Sequence, residues 1–203
     1  MRVTLFLIGL NAIVFILELL LGQEFIRFFS LVSVDALSGN YWQFLTYMFL
    51  HGDVRHITFN MFALLLFGAP VERRLGEKKF ISLYLFSGIA SSFFHIYLTG
   101  VSNIPMLGAS GAVFGVLTAY GVLFPRNWVF IPPGIPLPSI LAVAVFAVMQ
   151  FFLGIFNLEE GVANFGHFGG IVAGLIFMLI LKYIERRRGH EEHQFREFEF
   201  IWE

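Results

Sequence analysis

At 203 residues the chain has the length of one domain, yet 13% of it is charged and 58% apolar, against roughly 25% and about 45–50% in average soluble domains. No Asp, Glu, Lys or Arg occurs over 80–125, 127–158 or 161–181, and a soluble fold of this size has too little interior to hide such runs. Composition therefore excludes an ordinary soluble domain. The absence of cysteine excludes structural disulfides, and the formal net charge of −1 carries little meaning where charge matters by location.

The chain opens MRVTLFLIGLNAIVFILELLLG. This apolar run is longer than a signal-peptide core and lacks a small-residue cleavage site, so it predicts a retained helix over about 3–22. A long connection runs to about residue 53. Apolar segments then predict helices over about 54–70, 80–99, 110–124, 137–156 and 165–184. The segment GVSNIPMLGASG interrupts the third and fourth, because its Gly, Asn and Pro residues mark a turn. PRNW and PPGIPLP signal the turn before the fifth. The expected fold is an all-α membrane protein, a bundle of six transmembrane helices over 1–185. A charged and aromatic cytoplasmic tail is expected over 186–203, disordered or lying at the interface. Of the 13 Lys and Arg residues, only Arg27 and Arg55 fall opposite the termini. The positive-inside rule then predicts a multi-pass plasma-membrane protein with both termini cytoplasmic. The 23–53 connection, the 100–109 turn and the 157–164 loop face outward.

Polar side chains at membrane depth are costly, and each is a functional candidate. Asn11 and Glu18 lie in the first span, His56 and Asn60 in the second, His95 in the third, Ser110 in the fourth and His167 in the sixth. Glu18 and His95 sit near span ends, where interfacial roles are expected, and Asn11 is expected to join two helices. His56 and Asn60 are four apart and share a face. His167 shares a face with Gly170 and Gly174, which let a neighbouring backbone approach closely. The fourth span begins GASGAVFG and offers Gly111 and Gly115 as partners. Ser110 lies in its first turn, where free N–H groups and the helix dipole favour an oxyanion. Serine needs a base to become nucleophilic. Ser110 with His167 supplies a dyad, and His56 and Asn60 supply donors for developing negative charge. GASG alone is a weak signal, and it departs from the G-x-S-x-G elbow at Ala112.

With these residues in place, the sequence resembles the rhomboid family of intramembrane serine proteases over about Tyr41 to Ile180. The resemblance rests on HGDVRHITFN with His51, His56 and Asn60, on GASG with Ser110, and on GHFGGIVAG with His167, Gly170 and Gly174. VERRLG, with Glu72, Arg74 and Gly76, resembles the family's Glu-x-Arg feature. The resemblance implies Ser110 as nucleophile and His167 as base. It also implies an oxyanion hole of His56, Asn60 and the Ser110 amide, with Gly108 letting the substrate-side loop lie close to the nucleophile. Many members have Trp-Arg where this chain has Trp42-Gln43, so loop packing rather than charge is expected to matter there. Many bacterial members have Tyr where this chain has Phe114, which keeps a ring and loses a hydroxyl. The implied partners are transmembrane protein substrates and the lipid bilayer, with no nucleic acid, metal or other cofactor.

Three other readings compete. A non-cleaving rhomboid-like chaperone would have no need of the retained Ser110 and His167. A zinc protease using His51, His56 and His167 lacks H-E-x-x-H and has poor ligand spacing. A His proton-relay transporter would show an internal repeat, and none is found.

Overall fold

The computed structural model describes residues 1–131, 134–159 and 161–199, with side chains described as far as Arg187. Helix α1 (Arg2–Phe29) is helical on both sides of Gly22, whose φ of 73° and ψ of −157° break it. The expected end of the first span thus coincides with a glycine kink, and the chain beyond it stays helical to Phe29.

The connection that follows is built rather than loose. It carries α2 (Ser33–Leu37) and α3 (Gln43–Thr46), and α3 runs into a 3₁₀ turn over Tyr47–Phe49. Gln43 is buried. Its carbonyl accepts from the Val32 amide at 3.0 Å, and its NH₂ group donates to the Phe28 carbonyl at 3.3 Å. The Trp42 indole donates to the same carbonyl at 3.1 Å. A neutral amide that both accepts and donates suits this position, in line with packing rather than charge at Trp42-Gln43.

The second span, Val54–Leu75, consists of α4 (Val54–Ala63), a π-helical turn over Leu64–Gly68, and α5 (Ala69–Leu75). Pro70 lies just beyond the wide turn. It has no N–H for the Leu66 carbonyl, and the π turn accommodates that loss. Then come α6 (Glu77–Thr99), α7 (Ser110–Leu123), α8 (Ser139–Phe156) and α9 (Asn164–Glu199). Between α7 and α8 lies a feature the sequence does not suggest, an antiparallel hairpin of β1 (Trp128–Ile131) and β2 (Ile135–Pro138). Pro136 and Pro138 are tolerated because both strands are edges. Helix α9 continues to Glu199, well past the expected end at 184. The side chains of 188–203, most of the expected tail, lie outside the described residues.

Among the described residues, five helices are long and apolar enough to cross a membrane, and α7 at 14 residues is shorter. It spans about 21 Å of a hydrocarbon core roughly 30 Å thick. The chain is an all-α membrane bundle, with five candidate spans among the described residues. Helix α7 is the central element and is buried along most of its length.

Glycine decides how α7 is held. A Cβ on Gly170 would collide with the Gly111 carbonyl, and one on Gly174 with the Gly115 carbonyl. On the opposite side, a Cβ on Gly111 or Gly115 would collide with Ser91 or Ser87 of α6. Ser91 Oγ reaches past α7 and donates to the Gly166 carbonyl of α9 at 2.7 Å. Backbone thus meets backbone on one face of α7 and small hydroxyl side chains on the other. At the far end Glu72 is buried and accepts from the Val3 amide at 3.1 Å, the Thr4 amide at 2.8 Å and Thr4 Oγ1 at 2.6 Å. It fills the free N–H positions of the first turn of α1.

Gly170→Val should force α9 off α7. Expected outcomes are a lower thermal midpoint in micelles and a larger separation between spin labels on the two helices. Gly9→Val, at a position with open space around it, should leave both readings near the unmodified protein's values.

Candidate active site

Ser110 is the first residue of α7. Its backbone N–H, like the next two, has no partner within the helix and lies at the positive end of the dipole. Ser110 Oγ lies 2.7 Å from His167 Nε2. His167 Nδ1 lies 3.0 Å from Oε1 of Gln150, a buried residue of α8. The Phe114 ring, one turn along from Ser110, lies against the imidazole with centroids 4.9 Å apart and planes at 36°. Aromatic packing against the base is therefore present without a hydroxyl.

His56 and Asn60 approach from α4. Asp53 caps that helix, its carboxylate accepting from the His56 amide at 2.8 Å. This bond holds the Asp53 carboxyl below the usual carboxylate range. His56 Nδ1 accepts weakly from the Gly52 amide at 3.5 Å, which leaves the proton on Nε2, available to donate. The Asn60 NH₂ group donates to the His56 carbonyl at 3.1 Å and keeps a second N–H free.

Gly108 stands between the His56 ring and Ser110. Its φ is 127°, and a Cβ there would lie 2.8 Å from His56 Nε2 and 3.7 Å from Ser110 Oγ. Both conformation and space demand glycine at this position. The Gly108 amide donates to the Tyr47 carbonyl at 3.0 Å. The strand-like pairing of Leu31 with Met106, 2.9 Å in each direction, fastens the first connection across the 100–109 turn.

Ser110, His167, His56 and Asn60 line one cavity of about 1150 Å³, walled by apolar side chains that include Phe59, Leu117 and Phe146. The structure thus brings the four polar candidates together, with Gly108 among them and Gly170 and Gly174 supporting α9 behind. An alkoxide forming at Ser110 would find a base within reach, and an oxyanion would find backbone and side-chain donors.

Two polar residues, Glu18 and His95, sit differently from their sequence-based placement. Glu18 turns inward rather than to the interface. It is buried, and its carboxylate oxygens accept from the His51 amide at 3.0 and 3.1 Å. His95 lines the cavity wall and is half-buried. Asn11 is buried beside the Tyr84 side chain of α6, in keeping with a role between two helices, and its NH₂ group donates to the Leu7 carbonyl at 2.7 Å. His51, in the first connection, is buried edge-on to the His56 ring at 5.1 Å. Burial, and secondarily the neighbouring His56, push its pKa down to about 3, so it is neutral. Gln150 was missed altogether. The signal was available, since it is the one amide in SILAVAVFAVMQFFLGIF.

Apolar helices around a half-buried Ser–His pair define an α-helical multi-pass membrane protein with a built polar site. The Rhomboid domain family matches residues 38–184, and the chain belongs to the rhomboid family. It is 31% identical over 189 residues to Rhomboid protein 1, mitochondrial, of Saccharomyces cerevisiae, covering 90% of this chain and 54% of that protein. It is also 31% identical over 193 residues to the Rhomboid protease GlpG of Serratia proteamaculans, covering 93% and 65%. It is 29% identical over 191 residues to RHOMBOID-like protein 12, mitochondrial, of Arabidopsis thaliana, covering 86% and 56%. The chain spans about half to two thirds of the length of these curated relatives.

Gly108→Ala should displace the His56 ring and strain the backbone at φ 127°. The expected result is a fall in fluorophosphonate labelling of Ser110 by about 10-fold or more, because the His56 ring would no longer keep its place beside Ser110. Labelling rates of variant and unmodified protein in the same micelles check this.

Proposed function

We propose that this chain is an intramembrane serine endopeptidase that hydrolyses peptide bonds in or near transmembrane segments by a Ser110–His167 dyad. The observation that carries the reading is the 2.7 Å contact between Ser110 Oγ and His167 Nε2, at a helix N-terminus inside the cavity. Relatives named as proteases, GlpG among them, support it.

Ser110 Oγ attacks the scissile carbonyl carbon as its proton passes to His167 Nε2. The carbonyl oxygen becomes an oxyanion, held by the Ser110 amide, His56 Nε2–H and Asn60 Nδ2–H. The C–N bond breaks, and the leaving amine takes the proton from His167. A water then gives its proton to His167, attacks the acyl ester and releases the carboxylic acid, and Ser110 regains its proton. Hydrolysis needs water, and the cavity, with its outward-facing loops, is its route. Because Lys and Arg gather on the side of both termini, the proposed setting is the plasma membrane with cytoplasmic termini. Residues 1–185 form the catalytic membrane domain on this reading, and 186–203 are a tail without assigned function.

Substrates follow from backbone physics. A stable transmembrane helix already hydrogen-bonds its carbonyls, and unwinding it in lipid leaves polar groups without partners. Single-span helices that unwind near their outer end through Gly, Pro or polar residues are the fitting substrates. The crowding of Ser110 by Gly108 and His56 favours a small residue such as Ala before the cut.

A fluorophosphonate is expected to modify Ser110 alone, and Ser110→Ala to abolish both labelling and proteolysis. Undiminished cleavage by Ser110→Ala would end the serine-protease reading. His56→Ala or Asn60→Ala alone should lower turnover by less than the roughly 10²–10³ typical of a sole oxyanion donor, because the Ser110 amide remains. The double variant leaving turnover unchanged would remove both residues from the oxyanion hole.

Substrate choice is checked with a panel of single-span substrates that differ only in the residue before the cut and in one helix-breaking residue. Ala with a helix breaker should be cut fastest. Preference for a stable poly-Leu span, or for a bulky aromatic before the cut, would overturn this specificity.

A further inference from the structure

Helix α8 is apolar from end to end, with Ser139 at its start and Gln150 beyond its middle as its only polar side chains. An amide at that depth is costly unless it is satisfied. Gln150 is 6% exposed, and it turns toward His167 rather than lipid. Phe146, one turn earlier on the same face, lies against Phe114 with ring centroids 5.9 Å apart. Helix α8 thus presents two side chains to the site: Phe146 backs the ring that lies on the imidazole, and Gln150 meets the imidazole edge.

We propose that Gln150 is the positioning residue of the base, its side-chain carbonyl accepting from His167 Nδ1–H and holding the tautomer whose bare Nε2 faces Ser110. A neutral imidazole carries one proton, and Gln150 Oε1 has none to give. The 3.0 Å contact therefore needs the proton on Nδ1. Nε2 is then an acceptor, and at 2.7 Å Ser110 O–H is its donor. For a neutral ring facing Gln150 Oε1, only this proton arrangement satisfies both contacts. The other tautomer would set the Nδ1 lone pair against the Gln150 carbonyl and leave the serine without a base.

Phe114 fixes the plane of the ring but offers no acceptor, so it cannot choose the tautomer. Gln150 chooses it without placing a formal charge among apolar helices, where a carboxylate would be costly. When Nε2 gains the serine proton, the same carbonyl dipole faces the Nδ1–H of the imidazolium. In serine-histidine catalysis generally, loss of the group that sets the tautomer is among the more damaging single changes.

The inference rests on the reading of His167 as base, so its test carries a readout independent of turnover. Histidine ring ¹⁵N NMR on the full chain in micelles reports the tautomer directly, with His167 assigned by the signal lost in His167→Ala. Unmodified protein should show Nδ1 protonated and Nε2 bare, and Gln150→Leu should lose that preference. In cleavage assays Gln150→Leu should lower kcat by roughly 10- to 100-fold, part of what a positioned base contributes, with KM changed less than about twofold. Gln150→Met, also apolar and without the carbonyl, should behave like Gln150→Leu. Gln150→Glu keeps a carbonyl oxygen at the same reach and should recover most of the lost kcat.

An unmodified protein with the proton on Nε2 would overturn the proposal, because the amide would then donate to Nδ1 instead. So would an unchanged tautomer in Gln150→Leu, or an unchanged kcat in both apolar variants. Failure of the unmodified protein to cleave in a Ser110-dependent way would sink the protease reading instead, and the NMR signature would still decide Gln150.

Discussion

The contact on which the site depends is backbone on backbone: Gly170 and Gly174 of α9 against the Gly111 and Gly115 carbonyls of α7. Lipid tails are as apolar as leucine, so these helices gain nothing by hiding hydrophobic surface from each other. Close van der Waals fit and interhelical hydrogen bonds hold them instead. Any Cβ at Gly170 would push α9 outward by more than the 2.7 Å Ser110–His167 contact can absorb. The Ser91 bond to the Gly166 carbonyl closes the same packing from α6, at the residue just before His167.

A short α7 is the second requirement. At 14 residues it is shorter than the bilayer thickness, and an irregular segment leads to its N-terminus. Irregular backbone within a bilayer survives only under protein cover or beside a wet cavity. The cover is the first connection, through Leu31 on Met106 and the Tyr47 carbonyl on the Gly108 amide. That connection is itself pinned by Glu18 of α1 through the His51 amide. Buried carboxylates thus serve as fasteners at both ends of the molecule, with Glu72 holding the start of α1. Glu72 accepts from two amides and a hydroxyl, whereas the two oxygens of Glu18 share the one His51 N–H; buried polar groups need such partners.

Much of this was legible in the chain. Uncharged runs locate each span, because lipid imposes a minimum length and makes charge along it costly, although α1 and α9 continue well beyond the expected ends. The Gly22 kink falls at the predicted end of the first span, and Gly111, Gly115, Gly170 and Gly174 announce close packing through their spacing. The candidates Ser110, His56, Asn60 and His167 could be named because polar groups inside spans are rare. Less legible was the 23–53 connection. Its short helices carry no sustained periodicity, and its order comes from contacts with Phe28, Val32 and Met106 that lie far from local propensity. The Trp128–Pro138 hairpin was hidden for a similar reason, since its prolines read as a turn.

By itself, the sequence determined which side chains bear polarity within each helix and which face of that helix they share, because both follow from a period of 3.6 residues along a single rod. It could not determine which face of one rod meets which face of another. Asn60 and His56 share a face by counting, but their convergence with Gly108 on Ser110 depends on how α4 and the 100–109 turn are set against α7. Glu18 reads as interfacial from its place near a span end and is in fact turned to the His51 amide. Gln150 stands alone in an apolar helix with no neighbour in sequence to explain it. Only the packing of α8 beside α9 brings its carbonyl to 3.0 Å from His167. A hydrogen bond depends on tenths of an ångström between separate helices, and that distance is a property of the whole bundle.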